Sequence, residues 1–475
     1  MKNRKYFLLK IIKIVIVILI CFLGLSLRIR YHNSVPRPGE SLDEYANAWS
    51  GLGLIEIGVP LGWSYLESNI YQPVHHYINV DNVYQVGTVF ANPFYIHSPW
   101  LDHPPGMGLL IGGFAYLKGA RVLEDASTLL IRKPMVILGT LNIFLLFLIG
   151  YLYFNYKTGT IAALIYSVSP LIVVANRLPQ AENAFIPLFL LSTILIKVFQ
   201  NRKKYFYFFL SALTAGAGIW FKIPALMIAV SGSLLVLFST SDSLKNRLKL
   251  ASIYFFIATS FGFLPLLAYG LALDPKAFLQ VLLFHSQRSY GIGISALYQL
   301  FIQSKITSNF SLTDGWLILG WFSWFIILTK IKDISQKCLV SIPLFICLIF
   351  FIFLGSEFYG WYVFPFLPWL ALSIALMFNF LTNQSILTVY SILITLPSQI
   401  LFQKLNINNL IPNFTNYWRF GFAFYLFFIC FCYFTSNKLL IKIQKLLIYV
   451  WFILGIYLSI KYSYNLDSAV WLSTN

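Results

Sequence analysis

Apolar residues run along this chain in long blocks rather than in alternation. Blocks of about 17 to 25 residues, each long enough to cross a bilayer as a helix, fall near 11–27, 133–153, 159–175, 184–200, 205–221, 223–239, 250–271, 315–329, 338–355, 361–380, 385–400, 418–436 and 446–460. The pattern predicts an all-α polytopic membrane protein of about thirteen spans. The longest stretch without a spanning block is the loop 28–132. It holds one shorter apolar run, Gly106 to Leu117, which is too short to span and reads as a helix lying at the membrane interface. A second non-spanning loop runs from about Asp274 to Asp314.

Composition agrees with this ladder. Charged residues make up 11% of the 475-residue chain and hydrophobic residues 59%, too few charges to cover a water-facing surface of that size. The formal net charge is +18. Nucleic-acid binding is the other class such a charge suggests, but the Lys and Arg residues sit in short loops between apolar blocks, as the positive-inside rule requires. With the N-terminus inside, as an uncleaved first span without a small-x-small cleavage site, nineteen of the 34 Lys and Arg residues fall on the cytoplasmic side. Asp242 and Asp333 are the only acids there; the other fourteen acids and all six histidines fall outside. The rule does not demand that second segregation, so it marks the face where chemistry is expected. An odd number of spans puts the C-terminus outside as well. The five cysteines lie in or beside apolar blocks and read as fillers.

Candidate chemistry follows from the outer segments. Glu40-Ser41-Leu42-Asp43-Glu44 opens a helical pattern that ends near Gly58-Val59-Pro60. Ser41 and Glu44 have capping-box spacing, which leaves Asp43 in the first turn as a candidate general base. Asp102-His103-Pro104-Pro105-Gly106 sets two ionisable groups before the interfacial helix; it serves equally as a helix start or as a headgroup contact. Arg177 and Glu182 occupy a tight outer turn after Ser169-Pro170, and Lys222 stands at the outer end of a span before Ile223-Pro224. Snorkelling or mutual pairing accounts for such residues, but an ionisable group at that depth is also a functional candidate. His285 and Arg288 lie in the second outer loop, and Tyr362 in an aromatic segment from Glu357 to Pro368 that otherwise reads as an interfacial belt.

The order of these motifs resembles the GT-C class of glycosyltransferases that use polyprenyl-phosphate sugars, nearest to the protein O-mannosyltransferase and aminoarabinose transferase superfamily. The resemblance spans residues 10 to 375. It is carried by Leu42 to Ala46, Asp102 to Gly106, Ser169-Pro170 with Arg177 and Glu182, Lys222-Ile223-Pro224, and Trp361-Tyr362 through Pro368. It implies a catalytic membrane module over 1–380 that includes the outer loop 28–132, followed by additional membrane helices over 381–475. It also implies a plasma-membrane location and Asp43 as the catalytic base. Glu44, Asp102, His103, Arg177, Glu182, Lys222, His285, Arg288 and Tyr362 would bind substrate, with Arg177, Lys222 and Arg288 on the donor phosphate. The implied reaction is transfer, with inversion, of a sugar from a polyprenyl-phosphate donor to a hydroxyl of a lipid, glycan or protein acceptor. A divalent metal among Asp43, Glu44, Asp102 and His103 is compatible with the residue types. Two departures stand out: Trp361 occupies a position often held by Arg in relatives, and no soluble C-terminal domain follows. The other classes compatible with the pattern are a lipid-linked oligosaccharide polymerase or ligase and a membrane transporter or flippase. A transporter would favour mid-span ionisable residues and internal repeats; neither is evident.

Overall fold

The computed structural model describes residues 2–41, 43–64, 73–75, 96–239, 243–287, 293–294, 296–302, 306–307, 310–354, 359–405, 413–435 and 437–467. The architecture is a helical bundle whose apolar blocks have become helices nearly one for one. They are α1 (Lys2–Ile29), α2 (Asp43–Glu56), α3 (Pro105–Leu117), α4 (Lys133–Tyr153), α5 (Tyr156–Val168), α6 (Pro170–Ala175), α7 (Ala181–Arg202), α8 (Tyr205–Ala217), α9 (Leu226–Ser239), α10 (Leu244–Leu273) and α11 (Pro275–Ser286). After these come α12 (Trp316–Lys330), α13 (Ile334–Leu354), α14 (Leu367–Met377), α15 (Gln384–Leu393), α16 (Leu396–Lys404), α17 (Phe414–Thr435) and α18 (Lys438–Asn465). A small antiparallel sheet in the first loop joins β1 (Gly62–Trp63), β2 (Pro73–His75) and β3 (Ile96–His97) in the order β1-β3-β2.

The protein is an integral membrane protein with nine helical segments, among the described residues, long and apolar enough to span. The remaining expected spans fall on shorter apolar helices, Tyr205–Trp220, Ile223–Phe238 and Trp316–Lys330, and on the α5–α6 pair. The count of thirteen is therefore not established. The α5–α6 break has a local cause. Pro170 cannot continue α5, and the new helix start is capped by a distant carboxylate: Asp314 accepts from the Ser169 hydroxyl, from Leu171 N at 3.1 Å and from Trp316 N at 3.0 Å. One buried Asp thus satisfies the first amides of both α6 and α12.

Two helices of the first loop decide where the chemistry lies. α2 and α3 run side by side in the same direction, so that Asn47 and Ser50 meet Gly108, while Ala48 and Gly51 meet Gly112. Glycine permits this approach: a Cβ on Gly112 would lie 2.5 Å from Ala48 O, and one on Gly108 2.9 Å from Ser50 Oγ. Gly106 does the same toward the bundle, where a Cβ would lie 2.5 Å from Trp220 O. The parallel pair brings the starts of both helices to one point, and Gly106 seats that point against the turn before Lys222.

Candidate active site

At this convergence the first carboxylate is Asp43, in the opening turn of α2. Its Oδ2 lies 4.0 Å from Nε2 of His103, and both side chains are partly exposed. His103 packs edge-on to Trp100 and face-to-face with His285, at ring separations of 5.5 and 6.3 Å. The His285 ring nitrogen Nε2 is 3.1 Å from the Asp102 carbonyl oxygen, which ties α11 to the loop before α3. The Asp102 side chain accepts from Ser64 Oγ at 2.6 Å.

Below Asp43 lies a second ionic group. Lys222 Nζ donates to Glu182 Oε1 at 2.7 Å and sits 4.5 Å from the centre of the Tyr362 ring. Glu182 comes from the first turn of α7, where a carboxylate suits the helix dipole. Lys222 comes from the extended residue between two short 3₁₀ turns, Gly218–Trp220 and Ile223–Ala225. Tyr362 comes from the 3₁₀ segment Gly360–Phe366. Asp43 is close enough to act electrostatically on both Glu182 and Lys222. Glu182 is nearly inaccessible, and its Oε2 makes no hydrogen bond within the protein. Asp43, His103, Glu182, Lys222 and Tyr362 thus form one cluster, with Asp102 and His285 at its edge. Arg288 lies outside the described residues.

Two residues expected at this site are placed elsewhere. Arg177 is fully buried and donates to the carbonyls of Leu27 and Val35 at 2.8 and 3.2 Å and to that of Arg28 at 3.2 Å. These are groups at and just beyond the end of α1, where carbonyls lack intrahelical partners and a cation is favoured. Arg177 is thus committed as a helix cap and stands apart from the Asp43 cluster. Glu44 is likewise committed: Arg132 grips it through Nε and Nη2 at 2.8 and 3.0 Å, and both side chains are wholly buried. The capping box is not formed as expected. Glu44 instead accepts from Gly39 N at 3.2 Å, and the Ser41 hydroxyl accepts from Gln180.

With Glu44 turned to Arg132, the four-residue metal set fails. Among the described residues no group of three or more His, Cys, Asp or Glu side chains is placed to hold a metal ion.

Sequence reasoning missed Arg132, Arg28 and Asp314. Arg28 is buried and spends its donors on Asn176 Oδ1 and the carbonyls of Gly24, Tyr166 and Ser167. No local pattern announces such partners. Gly108-x-x-x-Gly112 did carry a readable signal, since small residues four apart permit close helix packing.

Comparisons with known proteins bear on the whole chain and on this segment. Residues 102–269 match the family model described as dolichyl-phosphate-mannose-protein mannosyltransferase. None of the curated proteins matches the chain in sequence. Among solved structures, the apo oligosaccharyltransferase of Archaeoglobus fulgidus superposes with TM-score 0.50 and 12% identity over 94% of this chain; the chain spans 56% of that protein's length. Apo ArnT from Cupriavidus metallidurans superposes with TM-score 0.50 and 13% identity, over 98% of this chain and 78% of that one. At such identities the likeness is one of fold. The chain has the GT-C-like fold of these membrane glycosyltransferases, and the segment that matches the family model holds His103, Glu182 and Lys222.

Proposed function

We propose that the protein transfers a sugar from a polyprenyl-phosphate donor to an acceptor hydroxyl, at the extracytoplasmic face and with inversion. The observation that carries this reading is a partly exposed carboxylate, Asp43, 4.0 Å from His103, on a helix pair that Gly106 seats against the Trp220 carbonyl two residues before the buried Lys222 ammonium. The matched family's description names a polyprenyl-phosphate sugar, dolichyl-phosphate mannose, and protein as the molecule mannosylated. The charge ladder puts this end of the bundle outside.

In the reaction Asp43 takes the proton of the acceptor hydroxyl as its oxygen bonds to the anomeric carbon. The bond from that carbon to the phosphate oxygen breaks, and its electron pair leaves with the polyprenyl phosphate. Lys222 stabilises the charge that collects there, in a site of low dielectric where such an interaction is strong. A phosphate leaves readily as an anion, so no general acid is required. Tyr362 holds the ammonium against its ring and limits where it can point. The starts of α2 and α3 add the positive ends of two helix dipoles.

The test is a transfer assay with purified protein in lipid nanodiscs and a panel of polyprenyl-phosphate sugars. Release of polyprenyl phosphate, dependent on an acceptor and on Asp43, is the expected result. Release that persists undiminished in Asp43→Asn would overturn the assignment of the base; vectorial movement of the intact donor without cleavage would overturn the reading as a transferase.

A further inference from the structure

α11 lies beyond the family-matched segment, and the proposed reaction uses none of its side chains. The helix opens at Asp274, whose Oδ1 accepts from Ala277 N at 2.9 Å, with Pro275 in the first turn. Ala277, Phe278, Val281, Leu282 and His285 follow at helical spacing on one buried or half-buried side, while Leu279 and Leu283 are exposed. An apolar residue would suit the last position of that stripe. A histidine stands there instead, and its ring nitrogen is in use.

We infer that His285 is a positioning residue for the proposed transfer. It fixes the His103 ring beside Asp43, and the helix behind it braces that ring against the turn that carries Lys222. The inference rests on the reading of Asp43 as the base. Three observations carry it.

The first is the grip on His103. His285 Nε2 lies 3.1 Å from Asp102 O, in the peptide that leads into His103. A carbonyl oxygen only accepts, so this nitrogen carries the hydrogen and donates it. It is committed to the main chain and does not take a proton from substrate. The His285 ring also lies nearly parallel to the His103 ring, at 6.3 Å and an interplanar angle of 15°. Trp100 meets His103 edge-on from another side. Main chain, ring face and ring edge together fix where His103 points. Its Nε2 then stands 4.0 Å from Asp43 Oδ2, where it limits how the carboxylate can turn.

The second is the brace. Ala277, Phe278 and Val281 share one apolar cluster with Leu101 and Ile219, and Ile223 packs against it. Leu101 is next in the chain to Asp102, and Ile219 and Ile223 stand on either side of Lys222. One short helix therefore ties the segment that bears His103 to the turn that bears Lys222.

The third is the kind of backbone being held. Asp43 stands on α2, but Trp100 to Pro104 form no helix or strand. Site residues on loops are less precise than those on regular elements unless a second layer supports them. α11 supplies that layer. Anchoring α11 would need only a donor to Asp102 O; the parallel ring stack adds control of the His103 side chain.

The experiment uses the full chain in lipid nanodiscs, carrying His285→Ala, His285→Phe or His285→Gln. His285→Phe keeps the ring face, His285→Gln keeps an N–H for Asp102 O, and His285→Ala keeps neither. Diethyl pyrocarbonate, read by peptide mass mapping, reports on the His103 ring. Its modification should be faster in His285→Ala and nearer the parent rate in the other two. With the donor that the panel identifies, kcat should fall by about 10- to 100-fold in His285→Ala. Donor KM and unfolding temperature should stay at parent values, and His285→Phe should regain part of the loss. In a His103→Ala background the same substitution should cost nothing further, because it acts through that ring. Losses that multiply, an effect confined to KM or to unfolding temperature, or an unchanged modification rate would each overturn the inference. No transfer with any donor would instead overturn the reading of the function, and the modification rates would still decide whether His285 holds His103.

Discussion

Two buried ion pairs stand within one short stretch of the molecule, and they are built oppositely. Glu44–Arg132 is closed. Its guanidinium also donates to His32 O and Pro36 O at 3.0 and 2.7 Å and to Arg37 O at 3.3 Å, while Glu44 takes the Gly39 amide. Glu182–Lys222 is open. One contact joins the pair, Glu182 Oε2 goes without a hydrogen bond, and the ammonium's other side rests on an aromatic ring beside Asp43. Saturation suits a lock, since a buried charge is tolerable only when all its partners are in place. Leaving an acceptor unused costs stability, and that cost makes sense where an incoming polar group is to complete the shell.

Mutations can break this contrast in order of size. Asp43→Asn removes the charge that the open pair faces; transfer should fall by about 10²–10⁴-fold, the contribution of a general base, while detergent-solubilised protein keeps its unfolding temperature. Arg132→Met strands Glu44 in the interior and should destabilise the fold by about 3–5 kcal/mol, read as loss of folded, monodisperse protein. Adding Glu44→Gln should recover much of it, because the stranded charge is then gone. Lys222→Met should weaken donor binding by about 1.5–3 kcal/mol, measured with radiolabelled polyprenyl phosphate. Combining it with Glu182→Gln should restore folding but not donor affinity; recovery of both would make the open pair another lock. Smallest is Gly112→Ala, which overpacks α2 against α3 at about 1–3 kcal/mol. It should lower kcat more than stability alone explains, because it separates the helix starts that carry Asp43 and His103.

The spans were legible because bilayer thickness imposes length and apolarity on each segment separately. Each expected block coincides with a helix or a helix pair. Asp43, His103, Glu182, Lys222 and Tyr362 could be nominated because ionisable and aromatic groups at one membrane face are few. Arg177 and Glu44 show where such reading stops. Arg177 looked like a phosphate ligand because the carbonyls it caps belong to α1, some 150 residues earlier in the chain. Glu44 looked like a local cap because its partner, Arg132, is 88 residues away. A spacing rule sees only neighbours, and both of these side chains take their partners across the fold. Asp314, which closes the start of α6 from 143 residues away, is the same case.

Arg132 is bound both to Glu44 and to the carbonyls of residues 32, 36 and 37, so the first loop is pinched shut at its neck. Chain leaving such a neck is inexpensive to lengthen: doubling a loop adds only about 0.6 kcal/mol of closure entropy. The excursion between α2 and α3 is therefore free to gain, lose or exchange residues over evolutionary time without moving the carboxylate behind it. A lineage built on this clasp could vary that outer chain while the two helix starts stay where they are.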